Sequence, residues 1–432
     1  MTPLPMRTTA WIAALLLSMS GCSEKAVSEP EAPEATSGGE APAGAGEEPG
    51  GDAATTAEQE SPWGATRAEQ CKRPAAPAIG SKARREIDGG VEAAANGDVE
   101  RAVQRFEAAL ARDPNAYPAL YNRGVLEDRA GNETGAIDYY TRALRVLPDY
   151  EPAARGIATI YLRRGQAQRA VAVVEPLANA NRANLEMQAL YAEMLVEVRR
   201  FDEAWMAARR ALQCDERFVP ALIALIKASR AQGRDELADS ILEQALEIDA
   251  QVAELHFLEG ERLKSEPGQL RDAMNAYERA VELRPEYAEA RMALGIQQLA
   301  SGNYDGALSH FQAAERLVPT LPAVHVNLGD AYRATKQWSD AETAYRKALS
   351  LQPKLPEAHY GLGLLFLTAA GDFPGLDELT AYEKAVDELK TYRSEMGVRL
   401  TKDDQSEEYL RDLDRMIKRV RRRMEREQGG AS

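Results

Sequence analysis

From residue 83 onward, apolar and polar positions alternate along the chain at a helical period, and that alternation is itself periodic. Alanine stands at Ala102, Ala136, Ala170, Ala204, Ala238, Ala273, Ala307 and Ala341, a spacing of 34 residues with one slip to 35. Four residues beyond each alanine comes an apolar or small side chain, mostly aromatic as in Phe106, Tyr140, Tyr277, Phe311 and Tyr345, and three further on Ala109, Ala143, Ala348 or an equivalent. Positions i, i+4 and i+7 share one helix face. Upstream of these alanines a small residue recurs at Gly90, Gly124, Ala158, Ala192, Gly260, Gly295 and Gly329, and again at Gly363, broken only by Ile226. Small side chains at both places let two helices approach closely, and Pro114, Pro148, Pro285, Pro319 and Pro353 stop the second helix where a backbone N–H can be lost. The pattern predicts eight helix pairs in register, with a ninth begun near His359.

This arrangement resembles the tetratricopeptide repeat, a family of right-handed helical solenoids. The resemblance covers residues 83–367 and implies an all-α fold of about eight to nine helix-turn-helix repeats. Repeats three to five are weaker, with Arg182, Glu216 and Ala250 in the proline place, which predicts an unbroken solenoid with a locally altered twist. In the family the first helices line a concave groove. Its fifth place from repeat five onward reads Ile223, Phe257, Met292, Val326 and Tyr360, expected as a continuous apolar stripe, and its ninth place adds Lys227, Glu261, Ile296, Asp330 and Leu364. The resemblance therefore points to Ile223, Phe257, Glu261, Met292, Ile296, Val326, Asp330, Tyr360 and Leu364 as the seat of an amphipathic helix or extended peptide from another protein. The competing expectation is that a tight superhelix buries its own inner wall, or that the ninth-repeat extension fills the groove. The family's clamp of lysines and asparagines for a C-terminal carboxylate is not matched, since Ile87, Val91, Tyr121 and Val125 occupy its places.

Residues 368–428 read as a split last repeat and a basic C-terminal helical cap. The insertion from Ala370 to Leu376 displaces the partner helix to 379–396. Beyond it Leu410, Leu413, Met416, Ile417, Val420 and Met424 fall on one side of a helix whose remainder is rich in arginine. Such a helix covers the face that a terminal repeat would otherwise expose. Its basic side is also a candidate surface for an acidic partner or lipid phosphate.

The opening is of a different kind. Arg7 precedes an apolar stretch from Ala10 to Met19, about half the length that spans a bilayer, so residues 1–21 read as a signal peptide. Met19, Ser20, Gly21 and Cys22 resemble the lipobox of bacterial lipoproteins, which implies a diacylglyceryl and fatty-acyl (palmitate-type) anchor on Cys22. Ser23 follows rather than the Asp that marks inner-membrane retention, and the family rule then implies the periplasmic face of the outer membrane. Residues 22–80 are expected to be a disordered acidic tether, since most of them are Glu, Pro, Ala, Gly, Ser or Thr. The net charge of −15 disfavours nucleic acid as a ligand.

Candidate chemistry is sparse. His256, His325 and His359 occupy the same packing place of their repeats, and no histidine has a partner at metal-ligand spacing, so no metal or cofactor is expected. Cys71 precedes the first repeat and Cys214 ends the fourth, so the two are expected to be independent thiols. No nucleophile, phosphate-cradling loop or acid–base constellation stands out, and the chain is expected to be neither an enzyme nor a binder of small-molecule substrates. Anchor, tether, repeats and basic end helix resemble the tetratricopeptide lipoproteins of envelope-spanning gliding-motility machinery, implying a scaffold whose partners are other envelope proteins. A pilotin-like lipoprotein for a secretin and an activator of peptidoglycan enzymes are the alternatives.

Overall fold

The computed structural model describes residues 71–402 and 404–429; the signal segment, Cys22 and most of the tether lie outside the described residues. Among the described residues there are nineteen α-helices and no strand, and no helix is long and apolar enough to cross a membrane. They run as pairs: α1 Ser81–Ala95 with α2 Val99–Arg112, α3 Tyr117–Arg129 with α4 Glu133–Val146, α5 Glu151–Arg163 with α6 Ala167–Ala180, and α7 Leu185–Glu197 with α8 Phe201–Cys214. Next come α9 Val219–Ala231 with α10 Asp235–Ile248, α11 Ala253–Lys264 with α12 Leu270–Leu283, α13 Ala288–Ala300 with α14 Tyr304–Leu317, and α15 Pro322–Ala334 with α16 Trp338–Leu351. The ninth first helix, α17 Pro356–Thr368, packs on α18 Glu378–Met396, and α19 Ser406–Gly429 closes the end.

Burial separates the two members of each pair. From the second repeat onward the first helices are buried nearly all round, as in α3 from Pro118 to Leu126, whereas α4 buries only Ala136, Tyr140 and Ala143; α1, at the start of the solenoid, exposes Lys82, Arg84, Arg85 and Asp88. First helices thus form an inner layer touching their neighbours in the next repeat, and second helices form an outer layer with one apolar face. At the pair interface, side-chain sizes compensate. The ring of Tyr345 is clasped between Gly329 of its own repeat and Gly361 of the next, where an added Cβ would stand 2.5 Å and 2.4 Å from Cε1. Tyr140 sits likewise between Gly124 and Gly156. In repeats three to five the ring is replaced by Val174, Ala208 and Leu242, and the facing glycine by Ala158, Ala192 and Ile226. The interface is filled in each case, as close packing requires.

A further 34-residue period lies in the turns inside the pairs. Gly97, Gly131, Gly165, Gly233, Gly268 and Gly302 take the left-handed conformation with φ between 68° and 84°, where a residue without Cβ carries no penalty. Arg199 at φ 62° and Lys336 at φ 59° fill the same place in repeats four and eight. Asp98, Asn132, Asn184 and Asn303 accept the N–H three residues on and cap the helices that follow them, each worth about 1 kcal/mol.

Two expectations need correction. Cys71 and Cys214 are joined in a disulfide with Cα atoms 5.5 Å apart, and the stretch from Cys71 to Gly80 is not loose tether. Arg73 pairs with Asp149 at 3.3 Å and Glu186 at 3.0 Å. Both lie at junctions between successive pairs, so the segment runs back along that edge of the solenoid from repeat one to repeat four. Ten extended residues reach roughly 33 Å, which bridges the separation that counting repeats had made prohibitive.

Candidate partner-binding groove

The inner face is built from the first helices, and most of the expected apolar stripe is closed rather than open. Phe257 is 4% exposed, its ring centroid 5.9 Å from that of Tyr277 and 5.3 Å from that of Tyr287. Met292 is 2% exposed within the core of repeats seven and eight, where the partly buried Ile296 joins it. The inner wall packs on itself where Phe257 of α11 meets Tyr287 at the start of the next repeat. Val326 and Tyr360 are half-buried at the C-terminal end, where Tyr360 meets Tyr392 of α18 at 5.0 Å between centroids and Tyr392 donates its hydroxyl to Asp404 at 2.6 Å. The extension thus covers Tyr360, and Leu364 on the same helix is also half-buried. The two expected polar residues are engaged within their own repeats: Glu261 accepts from Tyr277 at 2.5 Å and pairs with Lys264 at 2.8 Å, while Asp330 accepts from Tyr345 at 2.7 Å and pairs with Arg333 at 3.3 Å. Of the expected set, Ile223 lines a cavity.

That cavity, about 460 Å³, lies mid-groove and is lined by Arg155, Glu193, Ile223, Lys227, Val252, Glu254, Arg284, Tyr287 and Glu289 among others. Charges cross it as a ladder. Arg155 bridges Glu151 on its own helix and Glu193 of α7, holding both Glu193 oxygens at 2.8 Å and 3.0 Å. Lys227 of α9 pairs with Glu254 of α11. The Arg284 guanidinium lies 3.6 Å from the Tyr287 ring centroid, and burial drives the Tyr287 hydroxyl well above its ordinary value.

Glu289, at the start of α13, is 8% exposed and neither carboxylate oxygen has a hydrogen-bond partner. Burial pushes it up to about 7 despite its own backbone amide, Arg284 and Lys227, with Glu254 adding to the rise. Burial also lifts Glu197 of α7 to about 7; Lys227 opposes the shift, while Glu193 and Glu289 add to it. Glu254 shows the opposite balance: burial would raise it, but Lys227, Arg284 and Arg155 together hold it below the ordinary value. Sequence reasoning missed this constellation. Its signal was a diagonal of charged residues across family places, Arg155 at the fifth, Glu193 and Lys227 at the ninth, Glu254 and Glu289 at the second.

The histidines do not assemble a centre. His359 contacts Glu388 at 2.6 Å and His325 contacts the Pro319 carbonyl at 2.8 Å, and no metal-ligating group of three is present among the described residues.

Comparison with known proteins agrees with this architecture. Models described as tetratricopeptide repeat match residues 87–151 and 265–322 and, separately, 128–194, and one described as TPR repeat matches 329–368. The chain carries tetratricopeptide repeats. Such repeats imply a protein–protein interaction scaffold, a fold that is typically non-enzymatic and binds peptides in a concave groove. The human protein O-mannosyl-transferase TMTC1 is 26% identical over 198 residues, 44% of this chain but only 22% of that protein. Among solved structures, the APC/C hetero-tetramer Cut9–Hcn1 aligns over 78% of this chain and 77% of its own, with 16% identity and a TM-score of 0.45. YrrB, described as a TPR protein with an unusual peptide-binding site, aligns over 43% of this chain and 95% of its own, with 24% identity and a TM-score of 0.32.

Proposed function

We propose that this chain is a non-enzymatic scaffold, lipid-anchored through Cys22 on the periplasmic face of the outer membrane, which holds a segment of another envelope protein in its groove. The observation that carries the reading is the mid-groove cavity, open on the concave face where Phe257 and Met292 farther along the inner wall are packed. Export is supported by the Cys71–Cys214 disulfide, a bond that persists in oxidising compartments. The TMTC1 match supports no transferase reading, because this chain spans about a fifth of that protein. Within the envelope, the gliding-motility machinery is the assembly proposed, on the combination of anchor, tether, repeats and basic end helix.

The test is a chromosomal Cys22→Ala variant. It should leave unprocessed, unlabelled precursor after feeding with a radioactive fatty acid, and should lose both envelope partners and surface motility. Normal acyl labelling refutes the anchor, and intact motility with the variant expressed refutes the assembly.

A further inference from the structure

We propose that the mid-groove cavity is the seat for one positively charged side chain, lysine or arginine, of the bound segment, with Glu289 as its receiving carboxylate. This rests on the groove being the partner-binding surface and names the chemistry it selects.

Most charges around the cavity are already engaged. Arg155 is committed to Glu151 and Glu193, and Lys227 to Glu254. Arg284 lies over the Tyr287 ring. Glu289 remains 8% exposed in the cavity wall, with both carboxylate oxygens buried and without a side-chain partner. Leaving a buried carboxylate without partners is costly, and a charge-assisted hydrogen bond from an incoming cation removes that cost. The balance around the cavity has the same sign. Its lining holds Arg155, Lys227 and Arg284 against Glu193, Asp249, Glu254 and Glu289, and Glu197 adds a further carboxylate that senses Glu289. Apolar Val219, Pro220, Ile223 and Val252 flank the charged floor, a lining suited to the methylene stem of lysine or arginine beneath a charged tip. An anionic side chain would meet the excess of carboxylates over cations instead.

The two lifted carboxylates give the site a pH signature. The groups that face Glu289 include Lys227 of α9, Glu254 of α11, Arg284 after α12, Tyr287 just before α13 and, across the groove, Glu197 of α7. Glu289 binds the cation only when ionised. With its titration at about 7 in the empty groove, affinity for the cation should fall about tenfold between pH 8 and pH 6 by proton linkage.

The experiment uses the full chain carrying Cys22→Ser, so that no lipid is attached, and a displayed library of random twelve-residue peptides as the probe. Selected peptides are synthesised with and without their basic residue replaced by norleucine, and a photo-crosslinking residue at Val252 reports whether they occupy the groove. The expected result is a lysine or arginine at one fixed place, a loss of tenfold or more on its replacement, and abolition of that difference by Glu289→Gln. Glu197→Gln should weaken the same peptides less. Gln has the shape of Glu, and circular dichroism checks the fold; should Glu289→Gln not fold, the norleucine peptides and the pH profile on the unaltered protein still decide. Peptides that crosslink from Val252 but bind equally with norleucine overturn the cation seat and leave the groove reading standing. No selected peptide, or none that crosslinks from Val252, overturns the groove reading and the seat with it.

Discussion

Glu289 offers a quantitative test of the groove's electrostatics without any partner. Its carboxyl is pushed up to about 7 in the folded chain against an ordinary 4.5, because 8% exposure strips away solvent that its own backbone amide and the nearby Arg284 and Lys227 replace only in part. Between those two values the folded state holds a proton that the unfolded state has released, so stability must fall as pH rises through the window. The slope is about 1.4 kcal/mol per pH unit, and the penalty is complete above pH 7 at about 3 kcal/mol. Glu289→Gln removes the titration while keeping the shape. The variant should match the parent near pH 4.5 and exceed its stability increasingly up to pH 8. Solenoids unfold repeat by repeat rather than in one step, so hydrogen exchange of α13 amides, corrected for intrinsic rates, is a better measure than a global melt. Parallel protection profiles for the two proteins from pH 4.5 to pH 8 would refute the claim that this carboxylate is buried without a partner.

Three further outcomes follow from packing, turn and crosslink. Gly361→Ala would place a Cβ 2.4 Å from the fully buried Tyr345 ring, and overpacking of this kind costs about 1–3 kcal/mol; urea denaturation should show early loss of repeats eight and nine, and an unchanged curve would contradict the clasp. Lys336→Gly relieves a left-handed turn at φ 59° and should stabilise repeat eight by up to about 1 kcal/mol, read as slower exchange in α15 and α16. Cys71→Ser opens a crosslink of sequence separation 143, for which the chain-entropy model gives a ceiling of about 5 kcal/mol; repeats one to four should become the first protease-sensitive region, and equal resistance with and without the bond would mean that it does not hold them.

The fold was legible because close packing leaves a mark at every repeat. Ala136 and its equivalents, Gly124 and its equivalents, and the terminating prolines each report the same helix–helix approach, so eight copies reinforce one another. The exception at Ile226 looked like noise, yet it fits Leu242 where other repeats set glycine against an aromatic ring. The groove was less legible. Phe257 and Met292 occupy places that face inward, but facing inward in a tight superhelix means facing the next repeat, and both are core. Because Phe257 is core, its replacement by Ala would report on stability, at about 3–5 kcal/mol, rather than on partner binding. The charged cavity escaped because its members occupy different places in successive repeats, so reading one place at a time breaks the Arg155–Glu193 and Lys227–Glu254 pairs apart. The disulfide escaped for a related reason: distance was counted along the solenoid axis, whereas residues 71–80 return along its edge to Asp149, Glu186 and Cys214.

The central claim, that the middle of the concave face holds another envelope protein, is tested most directly by site-specific photo-crosslinking in intact cells. A crosslinking residue at Val252, which lines the cavity, is compared with one at Met206, 50% exposed on the outer-layer helix α8. A discrete crosslinked protein is expected from Val252, diminished by Glu289→Gln, and none from Met206. Crosslinks to the same protein from Met206 and not from Val252 would contradict it, placing the working surface on the outer layer of second helices.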